Sequence, residues 1–317
     1  MTGIPLGERY KCYFGELAKL AQAADKIDET NVYQAANTGT RKIMDAMLKD
    51  NLLDGSRLEG CGHFKDFLDK LQAGKRGLIL MEHYSNMDLP ALCYLLEHDG
   101  GDFGTEVSNR LVAIAGMKLN EANPMVKAWA EGFTRIVIYP SRSLAAHTDP
   151  EERAAEEAKS RKINMASMRA MDAAKRNGQA ILVFPSGTRY RPGKPETKRG
   201  LREIDSYLRM FDVMILVSIN GNCLRINPAE PENMLADLVV QDVVIMSASP
   251  VIECKKFRNE VIDSLGENPE IRGIDPKQKT VDRVMELLDE QHARYDSVRR
   301  QSLEALGREN PDAEFGL

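Results

Sequence analysis

The sequence predicts an α/β fold: a mixed, largely parallel sheet flanked by helices on both faces and preceded by a small N-terminal helical subdomain. Two observations carry that expectation. From about residue 60, short apolar runs recur at 77–82, 111–115, 135–139, 180–184, 213–219 and 243–247. Between them lie segments with helical spacing, at 88–97, 124–131, 152–177 and 200–211. Strands that alternate with helices bury a sheet under a helical layer on each side.

The residues before 60 have a different texture. Residues 8–24 and 31–50 read as two amphipathic helices, with Leu17, Leu20 and Ala21, then Ile43, Met47 and Leu48, at helical spacing. Between them, Asp28-Glu29-Thr30-Asn31 offers Thr30 or Asn31 as an N-cap. Residues 1–58 are therefore expected to form the helical subdomain, and 59–317 the α/β domain. The tail from 255 onward reads as helices broken at Gly266-Glu267-Asn268-Pro269 and Gly273-Ile274-Asp275-Pro276.

Composition bounds the function. With 317 residues the chain can bury a large core, and its 43% hydrophobic content is ordinary for a globular protein. No apolar run approaches the roughly 20 residues needed to span a bilayer, and no signal peptide is visible at Met1-Thr2-Gly3-Ile4-Pro5. The five cysteines are scattered and never in a Cys-x-x-Cys arrangement, so reduced structural thiols are expected. A net charge of −5 argues against nucleic acid as a partner, and no His and carboxylate cluster has metal-ligand spacing.

The chemistry begins where the first apolar strand ends. His83-Tyr84-Ser85-Asn86-Met87-Asp88 places a histidine and an aspartate across one strand-to-helix turn. Asp88 can orient the imidazole through one ring nitrogen and stabilise its cation, which leaves the other nitrogen to take a proton from a substrate hydroxyl. A blander reading of the same residues has Asp88 as the N-cap of the next helix, with Pro90 in its first turn, and His83 as a structural histidine. The position at a strand end, where α/β folds place their sites, favours catalysis.

A second element, Phe184-Pro185-Ser186-Gly187-Thr188-Arg189-Tyr190-Arg191-Pro192, follows the strand Ala180-Ile181-Leu182-Val183. Ser186, Gly187 and Thr188 make a small-residue turn that a ligand can approach closely. Arg189 and Arg191 supply forked donors that match phosphate oxygens. Lys194, Lys198, Arg199 and Arg202 follow, with only Glu196 to offset them, and read as a solvated basic loop. A third strand, Ile136-Val137-Ile138, runs out into Tyr139-Pro140-Ser141-Arg142-Ser143, so Arg142 and Ser143 can join the same site.

Taken together, these segments resemble the glycerolipid acyltransferase superfamily, whose hallmark is His-x-x-x-x-Asp followed by a Phe-Pro-Glu-Gly-Thr-Arg-like block. Ser186 stands in the glutamate position. That departure is similar to the soluble, chloroplast-type glycerol-3-phosphate 1-acyltransferases, which carry a Pro-Ser-Gly-Gly-Arg-x-Arg-Pro block. Further similarity lies in Ala115-Gly116, in Glu131-Gly132 through Tyr139, and in Arg161-Lys162-Ile163-Asn164, so the resemblance covers roughly residues 75–225. Where that subgroup has Lys-Lys-His, this chain has Ser141-Arg142-Ser143, and Leu216-Val217-Ser218-Ile219 lacks the proline usual in the superfamily's late block.

The resemblance implies His83 as general base, Asp88 as its partner, and Arg142, Arg189 and Arg191 as ligands for glycerol phosphate. It implies acyl transfer from acyl carrier protein or coenzyme A thioesters, the thioester being a co-substrate with no further cofactor. Lysophosphatidate is the alternative acceptor, a thioester hydrolase is a weaker reading, and a non-catalytic binder of phosphorylated metabolites or anionic lipid is the reading from another class. A cytoplasmic location is expected, soluble or peripherally attached to membrane, with a plastid stroma also open.

Overall fold

The computed structural model describes residues 3–22, 24, 26–117, 119, 123–140 and 149–311. The chain opens with β1 (Ile4–Pro5), α1 (Leu6–Arg9), a 3-10 turn at Lys11–Tyr13 and α2 (Phe14–Leu20). The single helix expected over 8–24 is therefore broken. Tyr10 leaves helical geometry at φ −116° and ψ 22°, where its buried hydroxyl is held by the Asn51 side chain.

The second helix expected, 31–50, also begins late. Strand β2 (Tyr33–Gln34) comes first, and α3 spans Thr38–Asn51. Its cap is Asn37, which accepts from the Gly39 and Thr40 amides at 3.0 and 3.4 Å. Thr30 and Asn31 instead close a turn with Asp28: the Thr30 amide donates to Asp28 at 2.8 Å, and the Asp28 amide donates to Asn31 at 2.9 Å. A side chain committed to a local turn is not free to cap a helix.

Next come β3 (Arg57–Glu59), α4 (Cys61–Gln72), β4 (Gly77–Met81), α5 (Asp88–Arg110), β5 (Leu111–Gly116), α6 (Pro124–Ala130), β6 (Arg135–Ile138), α7 (Pro150–Arg176) and β7 (Ala180–Val183). The chain continues with α8 (Ile204–Met210), β8 (Val213–Asn220), β9 (Leu224–Arg225), β10 (Leu238–Val239), β11 (Ile245–Ala248), β12 (Ile252–Glu253), α9 (Cys254–Ser264) and α10 (Pro276–Ala305). The helix expected to end at 97 resumes after a kink at Gly101 (φ 53°), a conformation open to glycine, and continues to Arg110.

The large sheet runs β2-β6-β5-β7-β4-β8-β11-β3, with β12 also paired to β8. Strands β6, β5, β7, β4 and β8 are mutually parallel, while β2 and β11 run antiparallel to their neighbours β6 and β8. A small sheet, β1-β10-β9, stands apart. Residues 1–58 are tied into both sheets, through β1 in the small one and through β2 and β3 at the two edges of the large one. All five cysteines are free, and no described helix is long and apolar enough to cross a membrane.

Side chains alternate across the sheet, so each central strand feeds two cores. Ile79, Met81, Leu182, Ile215 and Val217 pack with α3, α4 and α5 on one face. Leu78, Leu80, Ile181, Val183, Met214 and Leu216 pack with α7 to α10 on the other. Residues 78–81 are wholly buried, and each such side chain contributes roughly 1.5–3 kcal/mol.

At Gly104 a Cβ would stand 1.8 Å from the Leu96 carbonyl oxygen, backbone that cannot step aside. Gly62, inside α4, has open space around it. Gly104→Ala is expected to lower stability by about 1–3 kcal/mol or more, whereas Gly62→Ala should raise it by about 0.5–1 kcal/mol. Urea unfolding of both variants checks the pair; equal midpoints would contradict the packing described.

Candidate active site

Parallel pairing of β4 with β7 sets Leu80 opposite Val183, so the two motif-bearing turns leave adjacent strands at the same end of the sheet. The His83 ring stacks on the Phe184 ring with centroids 3.8 Å apart and planes within 14°. The Tyr190 amide donates to the His83 carbonyl at 2.7 Å. Two segments a hundred residues apart in sequence thereby form one wall.

Asp88 is the first residue of α5 and is 3% exposed. Its Oδ2 accepts from the Tyr84 amide at 2.6 Å and the Ser85 amide at 2.9 Å, and lies 2.9 Å from His83 Nδ1. Its Oδ1 accepts from the Ser85 hydroxyl at 3.0 Å. The amides it binds precede the helix, so Asp88 closes the catalytic turn and does not cap α5. This corrects the capping alternative: α5 begins at Asp88 without a side-chain cap, and the Ser85 hydroxyl oxygen accepts from the Met87 amide at 3.0 Å within the same turn. Two amides and a hydroxyl satisfy the oxygens of this buried carboxyl group. Against it, the imidazole proton sits on Nδ1 and the lone pair on Nε2.

In the arginine block, the Gly187 amide donates to the Phe184 carbonyl at 2.9 Å, and the Ser186 hydroxyl donates to the Thr188 carbonyl at 2.7 Å. Gly187 has φ 62°, which the tight turn requires. The two arginines that follow differ in their surroundings. Arg189 is 8% exposed and paired with the wholly buried Asp237, whose carboxyl pKa burial pushes up against the opposing pull of Arg189. Arg191 pairs at 2.7 Å with Glu232, a side chain that is 76% exposed. A phosphate can displace the second partner far more readily than the first.

The basic loop is less free than the sequence predicts. Lys198 turns inward to Asp289 of α10 at 2.7 Å, and Arg202 pairs with Asp275. The Asp289 hydrogen bond and the Glu82 charge together outweigh burial and hold the Lys198 pKa above its ordinary value. Arg142 and Ser143 lie outside the described residues.

Three groups beside His83 went unnoticed in the sequence. Glu82, immediately before it, is buried; Tyr84, immediately after, donates its hydroxyl to Glu82 at 3.1 Å; His292 of α10 lies 3.0 Å from the same carboxylate. Burial and the Glu82 charge push the Tyr84 phenol well above its usual pKa. A charged residue ending an apolar strand marks Glu82, but nothing local in the polar helix around His292 marks that residue.

A cavity of about 640 Å³ opens at the opposite end of the parallel strands, lined by Arg76, Arg110, Lys175 and Arg176 among others. Arg76, Arg110 and Lys175 are paired with Asp212, Glu106 and Asp172, which leaves little charge there for a ligand. Among the described residues, no group of three or more His, Cys, Asp or Glu side chains is placed to hold a metal ion.

No curated protein matches the chain. Residues 65–216, from α4 through the middle of β8, match the family model described as Acyltransferase. That segment contains His83, Asp88 and the whole arginine block, and its match supports an acyltransferase of the glycerolipid superfamily.

Proposed function

We propose that this protein transfers a fatty acyl group from an acyl carrier protein or coenzyme A thioester to the 1-hydroxyl of sn-glycerol 3-phosphate. The observation that carries the reading is the His83 imidazole, tied through Nδ1 to Asp88 and stacked on the first residue of the arginine block. Nε2 takes the proton of the acceptor hydroxyl as its oxygen attacks the thioester carbonyl. The new C–O bond forms, the C–S bond breaks, and the proton passes from Nε2 to the departing thiolate. Asp88 stabilises the imidazolium between those two transfers.

Arg191 is the phosphate ligand this geometry favours, exchanging the exposed Glu232 for a dianion. Arg189 supports the same turn from its buried pair with Asp237. Holding the phosphate orients the hydroxyl on Nε2 and makes the encounter effectively intramolecular. The serine at position 186, where the superfamily has glutamate, supports glycerol 3-phosphate over lysophosphatidate as acceptor.

The deciding experiment measures thiol release from an acyl thioester with glycerol 3-phosphate, with lysophosphatidate, and with neither. Release that requires glycerol 3-phosphate supports the reading. Preference for lysophosphatidate overturns the acceptor, release with neither makes the protein a hydrolase, and no release leaves a binder. His83→Ala should lower kcat by about 10²–10⁴-fold while glycerol phosphate still binds in calorimetry.

The two arginines should separate by their effects. Arg191→Ala is expected to raise the KM for glycerol 3-phosphate roughly ten- to 150-fold, the loss of one charge-assisted bond, with the thermal midpoint unchanged. Arg189→Ala leaves the buried Asp237 without its paired cation, which costs about 3–5 kcal/mol, so its melting temperature should fall. Equal midpoints for the two variants would contradict the placement of Arg189.

A further inference from the structure

Glu82 takes no part in the chemistry above, yet its side chain is only 2% exposed and held from several sides. Oε2 accepts from the Ile219 amide of β8 at 2.7 Å and lies 3.0 Å from His292 Nδ1. Oε1 accepts from the Tyr84 hydroxyl at 3.1 Å and has Lys198 Nζ at 3.9 Å. The Tyr84 hydroxyl lies 3.4 Å from His292 Nδ1, and the Tyr84 ring meets the Tyr190 ring edge-on at 6.0 Å. His292 is itself fixed, because its carbonyl accepts from the Asn220 side chain at 2.9 Å and its neighbour Gln291 donates to the carbonyls of Leu216 and Ser247.

The residues on either side of His83 are thus fastened to the C-terminal helix, while His83 contacts Asp88 and Phe184. Because Glu82 and Tyr84 are held by β8 and α10, the backbone between them, from which the imidazole projects, is held as well. Asp88 and Phe184 then choose the ring's orientation, but they act on a ring whose origin is already fixed.

We propose that His292, acting through Glu82, is a positioning residue that holds the His83 turn in its productive geometry, which makes α10, outside the matched segment 65–216, part of the support of the active site. For its rate measurements the proposal rests on the acyl-transfer reading above.

The tie depends on pH. Burial disfavours the His292 cation, but the Glu82 hydrogen bond and charge outweigh it, so the imidazole pKa lies above its ordinary value. Lys198 opposes the cation and Asp296 favours it, and Asp289, Tyr84 and Tyr190 complete the ring of titratable groups around the cluster. A folded-state pKa raised above the unfolded value of about 6.5 gives a tie that is complete below that value. Its ionic part is lost as pH rises through the folded pKa, which leaves only the weaker bond a neutral N–H can make. Turnover should therefore fall on the alkaline side to a lower plateau as His292 loses its charge.

Two variants test this. His292→Ala removes the donor, and kcat is expected to drop roughly ten- to a hundredfold with both KM values unchanged. His292→Gln keeps a neutral N–H donor to Glu82 but no charge; its kcat should lie near the lower alkaline plateau of the wild type, above that of His292→Ala, and show no alkaline decline, which a merely structural role would not produce. Should His292→Ala fail to fold, His292→Gln carries the test alone.

A substrate-free measurement separates this proposal from the functional one. In the ¹⁵N-histidine-labelled protein, the His83 Nδ1 proton resonance should shift as His292 titrates, and the shift should vanish in His292→Gln. A His83 resonance indifferent to His292, or an alkaline decline that persists in His292→Gln, overturns the proposal. Coupled resonances in a protein that releases no thiol would support the positioning role and overturn acyl transfer.

Discussion

The parallel pairing of Leu78–Leu80 with Ile181–Val183 is the constraint from which the rest of the site follows. Parallel neighbours end at the same edge of a sheet, and both strands are covered on their two faces, so neither can slip register without turning core side chains the wrong way. The turns that follow therefore have no choice of neighbour. His83 must meet Phe184, and the backbone of Tyr190 must close on the backbone of His83. The pairing with β8 on the other side of β4 is equally consequential, because it brings Val217 and Ile219 against Glu82.

Four buried carboxylates show how differently one problem of desolvation is met. Asp88 is satisfied within its own turn, by the amides of Tyr84 and Ser85 and the Ser85 hydroxyl. Glu82 draws donors from β8, Tyr84 and α10. Asp237 has Arg189, and Asp242 has both Arg225 and Arg299, each only 1% exposed. Local satisfaction makes the orientation of Asp88 insensitive to distant changes. The other three carry long-range ties, so their value lies in joining parts of the chain that sequence keeps apart.

The alternation of strands and helices, and the two motif-bearing turns, were legible in the sequence because continuous apolar runs such as 77–81 and 180–183 have few other uses. The two-residue strands were not legible. Tyr33–Gln34 and Leu238–Val239 are too short to show a period, and their pairing is set by partners elsewhere in the chain. The first two helices failed for a related reason: helical spacing at Leu17 and Leu20 was real, but Tyr10 answers to Asn51. At the site, His83 and Asp88 could be paired from a spacing of five. Neither the capture of Arg189 by Asp237, 48 residues on, nor that of Glu82 by His292 leaves a local trace.

The order in which these strands leave the ribosome does not match the order in which they lie. Strand β4 emerges early, yet one of its neighbours ends at residue 183, the other ends at 220, and the helix that covers them on one face ends at 305. Until α10 arrives, Leu78 and Leu80 have no complete core to enter, and the nascent chain presents an apolar strand with open edges. Closure over such sequence separations is slow. A chain cut where the matched segment stops, in the middle of β8, would keep every side chain assigned to the chemistry and still lack the half of the core contributed by α9 and α10. In this chain a helix that ends at residue 305 completes the core around a strand laid down before residue 82.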